Sequence, residues 1–302
     1  MPTPALFKNL STLVLCGALA ATASVAHAER ISYNVTTPDG VTLAVQESGN
    51  PSGPAIVFIH GLLGSHLSWD NQVNAPELQR YRMITYDLRG HGLSGKPVNA
   101  QAYAEGRRWA DDLAVVMQAA KVTRPMLVGW SLGGAVISNY LARYGDGQIG
   151  GAVYVDGVIE LKPEQIVAHP QVYQDLNAPD LKSHLDTVRE FLGLCFHTQP
   201  DRSTFERLFA NAAMASWDMQ RAVQSMDVDA VKALGGATVP VLLLYGAQDA
   251  LVQTKPAIAR AKQLNPRATS IVYANSGHAP FLEEAARFNR DLAGFVDSSA
   301  IH

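Results

Sequence analysis

The chain has 302 residues, 24 of them basic and 27 acidic, for a formal charge of −3. That near balance offers no general electrostatic attraction to nucleic acid or to an anionic membrane. The nine histidines are scattered, and no pair has the i, i+4 spacing beside a carboxylate that helical zinc sites use, so neither a metal nor a cofactor is expected.

In chain order, residues 1–28 read as a signal peptide. Lys8 is the lone positive charge, Leu10 to Ala23 is mostly apolar, and Ala26-His27-Ala28 places small residues where signal peptidase reads them. Cleavage is predicted after Ala28, giving a secreted or periplasmic protein. The apolar run falls short of the roughly 20 residues needed to cross a bilayer, so no stable membrane insertion is expected after cleavage. A retained anchor is the alternative; lipidation at Cys16 is disfavoured because Val14-Leu15 precedes it. The leader carries one basic and no acidic residue, so the mature chain has 274 residues and a formal charge of −4. That length suits one large domain with an insertion. Only Cys195 remains, which excludes an intramolecular disulfide and reads as a buried, inert thiol.

From residue 31 short β-rich runs alternate with amphipathic stretches, the pattern of a largely parallel sheet covered by helices on both faces. Ile31 to Thr37 and Val41 to Glu47, joined by Pro38-Asp39-Gly40, predict an antiparallel hairpin at one edge. Ala55 to Ile59, Met83 to Tyr86, Met126 to Val128, Ala152 to Val155, Val241 to Tyr245 and Ser270 to Tyr273 predict buried strands, eight in all with the hairpin. Helices are predicted over Glu105 to Ala120, Leu132 to Tyr144, Lys255 to Leu264 and Pro280 to Val296, where apolar residues recur every three or four positions. Residues 159–236 break the alternation and read as several short helices. Leaving after Val155 and returning before Val241, they are placed to cover the carboxyl edge of the sheet, where open parallel sheets bind ligands. The organisation is therefore a core of 29–158 and 237–302 with a helical lid of 159–236.

Gly129-Trp130-Ser131-Leu132-Gly133 fits the G-x-S-x-G elbow, with a predicted strand running in and a predicted helix running out. The bland reading is a glycine-rich helix start capped by a serine. A serine hydroxyl needs a base, and the base needs an orienting group. In chain order these are supplied by Asp249, in Gly246-Ala247-Gln248-Asp249, and His278, in Ser276-Gly277-His278. Asp156, directly after another strand, is the rival for the acid. Oxyanion donors are expected from the backbone N–H groups of Leu62, in His60-Gly61-Leu62-Leu63-Gly64, and of Leu132. His60 reads as a brace for its loop.

These motifs, with Tyr86-Asp87-Leu88-Arg89-Gly90-His91-Gly92-Leu93-Ser94, resemble the α/β-hydrolase superfamily across the whole mature chain. The resemblance implies a mostly parallel eight-stranded sheet, a Ser131, Asp249, His278 triad under a helical cap, and a structural role for the Asp87 to Ser94 loop. A serine at the elbow argues against the dehalogenases and epoxide hydrolases of this fold, which use aspartate there. Carboxylesterases, lactonases, carbon–carbon bond hydrolases and cofactor-free perhydrolases remain, and a ligand-binding protein on the same fold is the reading from another class. Leu63, Trp130, Phe191, Phe196 and Trp217 are the candidate pocket residues, with a small-molecule ester, uncharged and largely apolar, as the expected partner.

Overall fold

The computed structural model describes residues 1–2 and 30–299. The segment read as a leader, apart from its first two residues, and its cleavage point lie outside the described residues. No helix among the described residues is long and apolar enough to cross a membrane.

Eight strands form one sheet: β1 (Ile31–Thr36), β2 (Thr42–Gly49), β3 (Ala55–Ile59), β4 (Arg82–Tyr86), β5 (Met126–Trp130), β6 (Gly151–Val155), β7 (Val241–Gly246) and β8 (Thr269–Tyr273). Their spatial order is β1-β2-β4-β3-β5-β6-β7-β8. β2 is antiparallel to both β1 and β4, and every later pairing is parallel. The hairpin turn closes through Thr37 N–H to Val41 O at 2.9 Å. All residues of β5, β6 and β7 are buried. Successive side chains of a strand point to opposite faces, so complete burial requires packing on both faces, and these strands accordingly lack polar alternation. Of the edge strands, β1 is largely exposed and β8 is fully buried only at Tyr273.

Parallel strands send all their carboxyl ends to one edge. β5 ends into Ser131, β6 into Asp156, β7 into the loop bearing Asp249, and β8 into the loop bearing His278. Between β6 and β7 the described residues form helices Pro170–Asp175, Leu181–Leu194, Arg202–Ala212, Trp217–Ala222 and Ala230–Gly236, with no strand among them. Asp180, Asp201, Ser216 and Asp229 each cap one of these helices by accepting a backbone N–H with the side chain. Such caps are worth on the order of 1 kcal/mol each and mark where the segment changes direction. One difference from expectation lies at the end of the chain. Pro280 to Val296 is not one helix but two, Pro280–Glu283 and Ala285–Ser299, with Glu284 between them outside helical geometry. The break follows from two carboxylates reaching back to the preceding loop: Glu283 accepts the Gly277 N–H at 2.8 Å and Glu284 accepts the Ser276 hydroxyl at 2.7 Å.

The loop after β4 is held by buried charge. The Arg89 guanidinium, wholly inaccessible, grips Asp112 through two nitrogens at 2.7 and 2.5 Å and reaches Asp39 in the hairpin turn at 2.9 Å. Asp87 accepts the backbone N–H groups of His66 at 2.7 Å and Leu93 at 2.8 Å, which ties this loop to the one after β3. His60, also fully buried, accepts the Leu88 N–H at Nε2, 2.9 Å, and so carries its proton on Nδ1, which donates to Gly61 O at 2.7 Å. Burial lowers its pKa from 6.5 to about 4, and that of its neighbour His91 to about 3. His60 therefore braces the loop as a neutral ring.

Because His60 is protonated in the unfolded chain near pH 6.5 but resists protonation in the fold, it favours unfolding as pH falls from 6.5 toward 4. His60→Asn removes that dependence. In urea titrations, the stability gap between wild type and His60→Asn should be largest at pH 7 and shrink by about 1.4 kcal/mol per pH unit below 6.5. A gap independent of pH contradicts the neutral brace.

Candidate active site

Ser131 stands where β5 gives way to helix Leu132–Tyr144, at φ 52° and ψ −114°. A positive φ at a residue with a Cβ costs on the order of 1–3 kcal/mol, and surrounding bonds must enforce it. Here the Ser131 N–H donates to Val155 O at 3.0 Å, and its carbonyl accepts from Gly134 and Val158, both at 2.9 Å. The turn is so tight that a Cβ on Gly129 would lie 2.4 Å from Gly133 O, and one on Gly133 would lie 2.4 Å from Ile59 O. Glycine is required at both positions. The Ser131 side chain makes no capping bond, although the residue precedes a helix. The capping-serine reading fails on that observation: the backbone is pinned and the hydroxyl is left free.

The base loop is built against this elbow by aromatic packing. Phe58 of β3, Trp69, Phe281 and Trp130 form a row with ring centroids 4.9, 4.6 and 5.0 Å apart. At its end the Trp130 ring lies 5.7 Å from the His278 ring, and the indole N–H donates to His278 O at 2.6 Å. The residue before Ser131 thus fixes the backbone of His278. The acid loop is stitched to the base loop as well: Ala247 N–H donates to Tyr273 O at 2.8 Å and Gln248 N–H to Ser276 O at 3.0 Å. A Cβ on Gly246 would fall 1.8 Å from Gly277 O, so only glycine permits that approach.

His278 Nδ1 lies 2.7 Å from Asp249 Oδ2, with both side chains almost wholly inaccessible. The other oxygen, Oδ1, accepts the N–H groups of Leu251 at 2.7 Å and Val252 at 3.0 Å. Burial works to raise the Asp249 pKa, but His278 and these two amides overcome it and hold the carboxyl below the usual range. An ionised carboxylate on Nδ1 selects the tautomer with its lone pair on Nε2, the form that can take a proton. Asp156 lies beside this pair but does not bond His278, so the acid partner is Asp249. Among the described residues no hydrogen bond joins Ser131 Oγ to His278; the imidazole's side-chain partner is Asp249.

Ser131 opens on a cavity of about 430 Å³, lined with Leu62, Leu132, Val158, Ile166, Tyr173, Phe191, Val223 and Leu251 among others. Its walls come from the ends of β3 and β5, from the segment after β6 and from the Asp249 loop. Two basic side chains reach it with their heads engaged: Lys162 Nζ pairs with Glu160 at 3.0 Å, and His169 Nε2 contacts Ala250 O at 2.6 Å.

Of the residues expected to line the pocket, Phe191 does. Leu63, Trp130 and Phe196 do not line this cavity; together with Leu62 and Phe191 they border a separate void of about 20 Å³. Trp217 lies elsewhere, stacked on His184 with centroids 4.0 Å apart. These are corrections with physical causes. Leu63 and Phe196 are core residues, and the Trp130 indole turns toward His278 and Phe281. Tyr173 and the irregular stretch Leu161 to His169 supply wall instead. That stretch has neither helical nor strand periodicity, and composition alone gave no sign of its place.

Residues 54–285 match the family model described as alpha/beta hydrolase fold. A crystal structure of a putative aryl esterase from Burkholderia cenocepacia is 67% identical, covers 90% of this chain and 100% of its own, and superposes with a TM-score of 0.90. The esterase RhEst1 from Rhodococcus sp. ECU1013 is 29% identical, with a TM-score of 0.81 over 88% of this chain and 98% of its own. The bifunctional esterase/perhydrolase DCH of Acinetobacter calcoaceticus is 28% identical over 87% of this chain and 99% of its length. With the eight-stranded sheet, the serine elbow and a family match across most of its length, the chain belongs to the α/β-hydrolase family.

Proposed function

We propose that the protein is a serine hydrolase that cleaves a small or medium, uncharged and largely apolar carboxylic ester, aryl esters and lactones included. The observation that carries this reading is the buried Asp249–His278 bond at the sheet edge that also presents a strained, uncapped Ser131 to an apolar cavity. The names of the aryl esterase, the esterase and the esterase/perhydrolase among its relatives support the same class.

In the proposed mechanism the Ser131 side chain turns to meet His278 Nε2 when substrate binds; catalytic hydrogen bonds in unliganded sites are commonly long and tighten in the complex. His278 takes the hydroxyl proton as Oγ attacks the carbonyl carbon. The oxyanion is received by the backbone N–H of Leu62 and of Leu132, each worth about 3 kcal/mol in the transition state. Leu132 is the first residue of its helix, where the N–H groups lack intrahelical acceptors and the dipole favours negative charge. His278 then protonates the leaving alcohol, and water repeats the sequence to release the acid. Lys162 and His169 are already occupied, which leaves no free positive charge among the described residues lining the cavity for an anionic substrate. In this reading residues 159–236 serve as the cap, and the leader directs the protein to the periplasm or outside the cell.

Ser131→Ala should abolish labelling by a fluorophosphonate probe and reduce p-nitrophenyl acetate turnover to roughly 10⁻⁴ of wild type or less, while Asp249→Asn should lose on the order of 10⁴ in kcat. Unchanged turnover in Ser131→Ala contradicts the reading. Phe191→Ala, which trims the cavity wall, should raise KM for aryl esters about fivefold with little change in kcat, as expected for loss of uniform binding. A fall in kcat alone would place Phe191 outside the substrate's resting contacts.

The esterase/perhydrolase relative favours one second reading, in which hydrogen peroxide replaces water on the acyl-enzyme and yields a peracid. Peroxide-dependent bromination of a dye in acetate buffer, lost in Ser131→Ala, is its expected signature. No halogenation above the mutant's level rejects it.

A further inference from the structure

Asp156 follows β6, is wholly buried, and takes a left-handed backbone with φ 43°. Its amide donates to Leu244 O at 2.9 Å, and its Oδ1 accepts the Gly246 N–H at 2.8 Å. Oδ2 is sealed from solvent, and no N–H or hydroxyl among the described residues reaches it. One side-chain atom each of Asp156, Asp249 and His278 lie within 4.8 Å of one another. A buried carboxyl oxygen with no protein donor nearby and a carboxylate for a neighbour is satisfied by carrying a proton itself.

We propose that Asp156 is a positioning residue: its Oδ2 carries a proton and donates a hydrogen bond to the Asp249 carboxylate, fixing the acid that orients His278. This rests on the serine-hydrolase reading above and adds a fourth side chain to it. Asp249 has the capacity to accept, since its bonds from Leu251 and Val252 at Oδ1 and from His278 at Oδ2 leave one carboxylate lone pair free, on Oδ2. The proton belongs on Asp156 because Asp249 already has a cationic or donor partner and two amides, whereas Asp156 has one amide. The groups that face the pair act in the same direction. Tyr245 donates its hydroxyl to Gly157 O at 2.5 Å and offers nothing to Asp156, and the Glu283 carboxylate and Cys195 thiol bring no positive charge. Burial first, and the charge of Asp249 second, push the Asp156 carboxyl well above its ordinary range.

Two consequences separate this role from simple core packing. The donated bond draws charge from Asp249 and tempers the pull of that carboxylate on the imidazolium. Without it, the Asp249 charge is more concentrated, and the acid limb of the rate profile moves up. Asparagine reproduces the protonated acid and not the carboxylate: its carbonyl can accept from Gly246 while its NH₂ donates to Asp249, and it tolerates a positive φ.

The test combines infrared spectroscopy with pH–rate profiles for p-nitrophenyl acetate, using the whole protein. Wild type at pH 7.5 should show a protonated-carboxyl band that disappears in Asp156→Asn, the difference between the two spectra separating it from any signal of Asp112 or Glu283. Asp156→Asn should keep kcat/KM within about threefold and leave the acid limb in place, whereas Asp156→Ala should lose about 10- to 100-fold, the range for one charge-assisted hydrogen bond, and shift that limb upward. Absence of the band, an Asp156→Asn as impaired as Asp156→Ala, or an Asp156→Ala as active as wild type each overturns the proposal. Absence of any such band from unmodified protein overturns the proposal whether or not a variant folds. Loss of the serine mechanism would appear separately, as turnover surviving in Ser131→Ala.

Discussion

The 2.7 Å bond between His278 and Asp249 is the contact around which this molecule is arranged. It takes a carboxylate almost wholly out of water, and that is tolerable only where the charge is matched by donors. The fold supplies the donors from backbone: the loop after β7 curls so that Leu251 and Val252 present their amides to Oδ1, and glycine at 246 lets this loop lie against the base loop. The parallel sheet makes the meeting possible. β5, β6, β7 and β8 are adjacent in that order and point the same way, so residues far apart in sequence emerge side by side.

Strain and packing divide the remaining work. Ser131 is held in a left-handed conformation by three backbone hydrogen bonds and by glycines that admit the turn. The aromatic row from Phe58 to Trp130 carries the rigidity of the central sheet out to the base loop, ending in the indole bond to His278 O. The Arg89–Asp112 pair and the neutral His60 secure the neighbouring loops, each from a fully buried position. Buried polarity here is concentrated at the carboxyl edge and in the loops behind it, while the strands beneath are nearly all apolar.

Much of this was legible in the sequence. The strands were readable because a strand buried on both faces must be short and apolar, and their ends fall within two residues of expectation. Gly129 to Gly133 was readable because a turn that sharp leaves no choice of residue at two positions. What escaped was decided by side-chain direction. Trp130 looked like pocket lining from its place beside Ser131, but its indole turns to His278. Leu63, Phe196 and Trp217 were apolar and in the right segments, yet pack away from the cavity, because apolar residues in the irregular loop after β3 and in an irregular helical insertion carry no period that says which way they face. The helix read as continuous from Pro280 breaks at Glu284 because of tertiary bonds to Ser276 and Gly277 that no local pattern records. Asp156 could be named as a rival acid from its position after a strand, but only the geometry separates the carboxyl that holds His278 from the one beside it.

The central claim is covalent catalysis by one hydroxyl, and rapid mixing with a p-nitrophenyl ester of slow deacylation tests it most directly. The account predicts a burst of nitrophenol approaching one equivalent per chain, with the acyl mass found by peptide mass spectrometry on Ser131 after acid quench. Steady turnover with no adduct, or an adduct on any other residue, would contradict it.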